Sequence, residues 1–203
     1  MSDNFFTFTY DEAEQTKRFY KNLTDEDIKY LEAAVRGDID LCLSMLEHRF
    51  IEKMPKTVVK HKVWRRDRKG DIWEYEIHRK KKSDAGWLGE GVYFYGSEDA
   101  AKEAVDYGPF LAPFYINIEH PFQMDRDLHD EIAHRNDPAV SARMTKYLEK
   151  NKMDGVLWTG DMREEWCVLS PSQMKRAEVT RDDSGRVIPI SLRFDLSKDD
   201  NRF

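Results

Sequence analysis

The chain has 203 residues, 40% of them apolar and 35% charged, enough apolar mass for one well-filled core and marginal for two. No run of about 18 apolar residues can span a bilayer, and the start MSDNFFTFTYDE has neither a basic nor an apolar leader region, so a cytoplasmic protein of one domain is expected. The net charge of −6 argues against wholesale coating of nucleic acid, and the two cysteines, Cys42 and Cys167, share no metal-ligand spacing.

Residues 1–55 read as helical. Thr24 followed by Asp25, Glu26 and Asp27 forms a start signal, and Ile28, Leu31, Ala34 and Val35 recur at helical spacing. Gly37-Asp38 breaks that helix, and Ile39, Leu43, Leu46 and Phe50 begin a second stripe, so two packed helices are predicted. From residue 56 onward the pattern is that of a strand-rich core. TVVKHKVW and DIWEYEIH, separated by Arg68-Lys69-Gly70-Asp71, predict a hairpin. The loop SDAGWLGEG leads into a strand VYFY, and SEDAAKEAVDYG predicts a helix capped by Ser97. FYINIE is a strand ending before Pro121, residues 127–152 predict one or two helices, and DGVLW and EWCVLS are strands. MKRAEVT and VIPISLRF close the chain. The fold class is α+β, with helices first.

Several residues suggest chemistry. Glu165 opens an otherwise apolar strand, on one face with Cys167 and Leu169, while Trp166 and Val168 point the other way. A carboxylate at such a rim can stabilise positive charge developing on a sugar ring, as in glycosidic cleavage. Tyr93 and Tyr95 share one face of VYFY, opposite Val92 and Phe94. Gly89 and Gly91 allow close backbone approach. Two basic clusters stand out, Lys60 to Lys69 and His78-Arg79-Lys80-Lys81-Lys82; the second also permits a nucleic-acid reading. His129, Asp130 and His134 lack a third fixed ligand, so no metal is assigned.

Val63-Trp64-Arg65-Arg66, Gly89-Glu90-Gly91-Val92-Tyr93-Phe94 and Glu164-Glu165-Trp166-Cys167-Val168 occur in the order of the ADP-ribosyltransferase motifs. With Asp154-Gly155-Val156 ahead of the Glu strand and Pro171-Ser172-Gln173-Met174-Lys175 behind it, the chain resembles the ADP-ribosyltransferases of phage and mobile-element polyvalent proteins. More distantly it resembles the poly(ADP-ribose) polymerase catalytic domain. The likeness covers roughly residues 57–194, without the middle helices.

That resemblance implies an ADP-ribosyltransferase-like split β-sheet core preceded by N-terminal helices, with 1–55 as the helical segment and 56–203 as the catalytic core. It implies NAD as substrate, no metal, and transfer of ADP-ribose to a protein or nucleic-acid acceptor in the cytoplasm, that of the host if the protein is phage encoded. Glu165, Tyr93 and Arg65 would be catalytic. Trp64, Arg65, Gly89, Gly91, Tyr93 and Tyr107 would bind NAD, Arg65 holding the pyrophosphate and the tyrosines stacking on nicotinamide. The chain departs from the polymerase pattern in having Arg65 where His is usual, with Arg66 as the alternative one residue on, and it lacks the Ser-Thr-Ser strand of Arg-type transferases. Glu164 is left a supporting role. A catalytically degenerate NAD- or ADP-ribose-binding module and a nucleic-acid-binding phage accessory protein are the rival expectations.

Overall fold

The computed structural model describes residues 10–75, 86–135, 137–160 and 163–203. Among them the order is α1 (Tyr10–Phe19), α2 (Asp25–Arg36), α3 (Ile39–Lys53), β1 (Val63–Asp67), β2 (Val92–Tyr95), α4 (Glu98–Glu103), β3 (Phe110–Ile116), β4 (Pro121–Met124), α5 (Arg126–Arg135), α6 (Pro138–Lys150), β5 (Gly155–Gly160), β6 (Arg163–Val168) and β7 (Met174–Arg176). The chain is a mixed α/β protein around a seven-stranded open sheet of order β4-β5-β6-β2-β1-β3-β7. No helix of the described residues is long and apolar enough to cross a membrane.

The start of α2 follows from its sequence. Thr24 Oγ1 accepts from the Asp27 backbone at 3.1 Å and the Asp27 carboxylate accepts from the Thr24 backbone at 2.9 Å, satisfying donors that the first turn leaves open. Gly37, at φ 72°, ends the helix in a left-handed turn that L side chains resist. Asp38 then caps α3 through the Leu41 amide. Asp27 also binds the Ser191 amide at 2.8 Å, tying α2 to the C-terminal region. An additional helix, α1, precedes the two that were predicted. The buried stripe of α3 runs through Cys42, Met45, Leu46 and Phe50, while Ile39 is exposed.

Among the described residues the predicted hairpin is not formed. β1 has β2 on one side and β3 on the other, so both of its edges are taken, and Asp71–Tyr75 carries no strand. Residues 57–62 are also not a strand; the Thr57 hydroxyl instead bridges the Ile116 and Ile118 carbonyls. The rest of the second hairpin arm and the run 78–82 lie outside the described residues. Pro121 begins a strand, β4, that pairs in parallel with β5 at the sheet edge, where a missing amide is tolerated. VIPISLRF forms a short 3-10 turn at Ile190–Leu192.

Three apolar clusters hold these elements. One joins α2 and α3 to Tyr115, Ala177, Ile190 and Phe194. A second lies against β1, β2, β3 and β6, through Val63, Val92, Phe94, Phe114, Trp166 and Val168. The third packs Ile132 of α5 and Met144 and Leu148 of α6 against Val156 and Cys167. The two halves of the sheet meet at a narrow junction, since β1 and β2 are registered only through Trp64 and Tyr95. β1 with β3 and β2 with β6 run together over their full lengths.

Candidate active site

Alternation fixes which side chains share a face. In β6 the second cluster takes Trp166 and Val168, and the third takes Cys167 with Leu169 packed against it, as the sequence pattern requires. Glu165 therefore projects on the Cys167 side. Directly paired residues of neighbouring strands share a face. Glu165 pairs with Tyr95 on one side and Trp158 on the other, and Tyr95 pairs with Trp64. The row Trp64, Tyr95, Glu165, Trp158 thus crosses the junction at one level.

The Glu165 carboxylate is only partly exposed, and no side-chain hydrogen bond reaches it among the described residues. Burial raises its pKa above the usual carboxylate range, while Arg163 and His129 pull it back down. Burial also pushes the Tyr95 hydroxyl up to about 12, helped by Glu165 and Tyr107. Tyr107 lies in the 3-10 turn that follows α4, with 55% of its surface exposed. Trp158 folds over Gly160, where any β-carbon would collide with its ring, and its Nε1 is buried without a partner among the described residues. His129 of α5 stacks on that indole at 4.0 Å and 18°, and Trp87 meets the imidazole edge-on at 5.6 Å.

Glu164 lies on the opposite face. Its carboxylate binds His61 at 3.0 Å and accepts from Trp166 Nε1. It is a structural acid on the face of the second cluster.

The structure separates the two candidate arginines. Arg65 shares its face with Val63 and Asp67, opposite Trp64. Its Nε donates to Asp67 at 3.0 Å, its Nη1 to the Tyr93 carbonyl at 2.9 Å, and its guanidinium lies 5.2 Å from the Tyr75 ring centre. Asp67 also takes the Tyr75 hydroxyl at 2.6 Å, so Arg65 completes a buried network and is not brought to Glu165. Arg66 falls on the Trp64 face. Its Nη1 donates to the Gly108 carbonyl at 2.7 Å, and its Nε is buried without a partner among the described residues.

The glycine motif has a packing cause. A β-carbon on Gly91 would strike the Val168 carbonyl and the Cys167 sulfur, because β2 lies tight against β6. Gly89, at φ 104°, turns the chain so that the Glu90 amide reaches Thr145 Oγ1 of α6 at 2.8 Å. The Tyr93 hydroxyl accepts from the Leu88 amide and donates to the Gly89 carbonyl, so it anchors the loop that carries Trp87. The two motifs flanking the Glu strand are likewise joints. Asp154 accepts from the Glu119 and His120 amides at 2.8 and 2.7 Å. Gln173 accepts from Leu169 and Ser170 and donates to the carbonyls of Asn117 and Asp154.

Tyr95, Trp158, His129 and Trp87 were not singled out as site residues. Alternation already placed Tyr95 with Tyr93, but nothing local in the chain puts α5 beside β5. No group of His, Cys, Asp or Glu among the described residues could hold a metal ion. Compared with known proteins, the chain matches no family model, no curated protein and no solved structure.

Proposed function

We propose that the chain is a NAD-dependent mono-ADP-ribosyltransferase that breaks the nicotinamide–ribose bond and passes ADP-ribose to a macromolecular acceptor. One observation carries the reading: a half-buried carboxylate, unbonded among the described residues, stands level with Tyr95 and Trp64 where β1 and β2 part. A narrow junction between two strand groups is also what a split sheet requires.

In this reading Glu165 accepts the ribose 2′-hydroxyl and faces the positive charge that develops at C1′ as the bond lengthens. Its partial burial strengthens that interaction, since charges attract more strongly where water is excluded. Two buried donors without partners among the described residues, Arg66 Nε and Trp158 Nε1, suit a ligand rich in acceptors, as a dinucleotide is. Arg66 takes the pyrophosphate role first expected of Arg65, whose guanidinium is committed to Asp67 and the Tyr93 carbonyl. Tyr107 offers an exposed ring for nicotinamide, and Tyr93 anchors the loop that carries Trp87.

The test uses NAD labelled separately in nicotinamide and in adenylate, incubated with the protein and a bacterial lysate. Nicotinamide release with transfer of the adenylate label to macromolecules is expected, and both should fall about 100-fold in Glu165→Gln. Equal release by that variant would sink the reading. NAD binding without release would leave a binding module in its place.

A further inference from the structure

Transfer requires the acceptor to lose a proton as it attacks, and Glu165 is occupied with the ribose. Among the described residues over the face it shares, His129 of α5 is suited to that task. His129 is 6% exposed and is clamped between two indoles, stacked on Trp158 at 4.0 Å and edge-on to Trp87 at 5.6 Å. Its Nδ1 lies 3.1 Å from the Asp130 carboxylate, which also attracts Arg126 at 3.8 Å. Its Nε2 carries no hydrogen bond to the described residues. Trp158, on which it stacks, is the direct cross-strand neighbour of Glu165. An imidazole with one nitrogen held by a carboxylate and the other open is the arrangement that fixes a tautomer for proton transfer.

We infer that His129 is the general base of the transfer step, held by Asp130 and by the Trp158 indole, and that it takes the acceptor's proton on Nε2. The inference rests on the transferase reading. The acceptor's lone pair forms the bond to C1′, and the bond from C1′ to the nicotinamide nitrogen breaks with its electron pair leaving on nicotinamide. The proton passes from the acceptor to His129 Nε2 and then to water. Asp130 keeps the Nδ1 proton in place and is a positioning residue. Trp87, 44% exposed and edge-on to His129, would contact the acceptor as it approaches.

The experiment measures label transfer from adenylate-labelled NAD to lysate macromolecules, with nicotinamide release in the same samples. His129→Asn keeps an amide donor for Asp130 but has no basic nitrogen. It should lose about 100-fold in kcat for transfer with the KM for NAD within about two-fold of wild type. His129→Ala opens a slot between the two indoles, and added imidazole should restore at least ten-fold of its transfer rate. Asp130→Asn should lower kcat about ten-fold at unchanged KM, and Asp130→Glu should recover most of that loss. Wild-type transfer in His129→Asn, a loss confined to KM, or no imidazole rescue overturns the role of His129. If those results appear while Glu165→Gln is inactive, the transferase reading survives without this inference. If the wild-type protein releases no nicotinamide, both fall.

Discussion

Glu164 and Glu165 are consecutive in β6, yet Glu164 binds His61 and Trp166 on one face while Glu165 stands level with Tyr95 on the other. Strand pleating is the cause, since successive side chains alternate across the sheet. Isosteric amides should therefore separate the two. Glu165→Gln should lower nicotinamide release about 100-fold with the fold intact. Glu164→Gln should keep release within about three-fold and cost about 0.5–1.5 kcal/mol in urea unfolding. Equal kinetic effects from both variants would remove the assignment.

Glu165 also has a signature in stability. Its pKa is raised in the folded chain, chiefly by burial. The folded state then holds the proton more tightly than the unfolded one, so stability is fully present below the unfolded carboxylate pKa of about 4.3 and declines as pH rises through the folded value. Glu165→Gln removes that decline. Its melting temperature should match or exceed that of wild type at pH 7, and the gap should close near pH 4. A variant less stable than wild type at pH 7 would show that the carboxylate is held by bonds and not strained by burial.

The two arginines of β1 should part in the same way. Arg65→Met strips the cationic partner from Asp67, whose side chain is 10% exposed and keeps the Tyr75 hydroxyl, and should cost about 2–4 kcal/mol, measured by urea unfolding. Arg66→Met gives up the bond to the Gly108 carbonyl, worth about 1 kcal/mol, and should act mainly by raising the KM for NAD. If Arg65→Met folds normally and loses NAD affinity instead, the arginine roles are reversed.

Lys175 is fully buried and donates to the carbonyls of Lys198 and Asp200 at 2.6 and 3.2 Å. Burial lowers its pKa to about 8, against the pull of Asp195, Asp200 and Asp199. The unfolded chain keeps the proton up to about pH 10.4, so this group adds stability as pH rises from the folded value toward the unfolded one. Urea midpoints of wild type and Lys175→Met, compared at pH 7.5 and 9.5, should diverge in favour of wild type at the higher pH. A constant difference would mean that the folded chain keeps the ammonium protonated through pH 9.5 and that burial does not lower its pKa.

Gln173→Ala removes four bonds, to Leu169 and Ser170 at 3.0 and 2.8 Å and to Asn117 and Asp154 at 2.8 and 2.7 Å. It should destabilise the protein by about 2–4 kcal/mol and leave the KM for NAD of the folded fraction unchanged. A raised KM with normal stability would turn this motif from a joint into a binding element.

Much of the local structure was legible because the forces behind it are local. Thr24 with Asp27, Gly37 with Asp38, and Ser97 ahead of Glu98 mark helix ends because a capping side chain reaches only a few residues. Apolar alternation in Glu165–Val168 and Val92–Tyr95 placed Glu165 and Tyr95 on the face they occupy. The hairpin misled because strand propensity and a turn signal specify that a strand exists, not which neighbour pairs with it. β3 and β2 take the edges of β1 through contacts distant in sequence.

The sequence by itself determined α2 and α3 with their caps, the strand and facing of Glu165 and the order of its motifs, since each depends on periodicity or on residues within a turn of one another. Only the tertiary structure decided that Arg65 faces Asp67 and the apolar cluster while Arg66, on the Trp64 face, reaches the Gly108 carbonyl, because that choice depends on which strands flank β1. It alone carried His129 from α5 to the Trp158 indole beside Glu165, a contact made by packing a helix on a sheet across residues that share no local pattern.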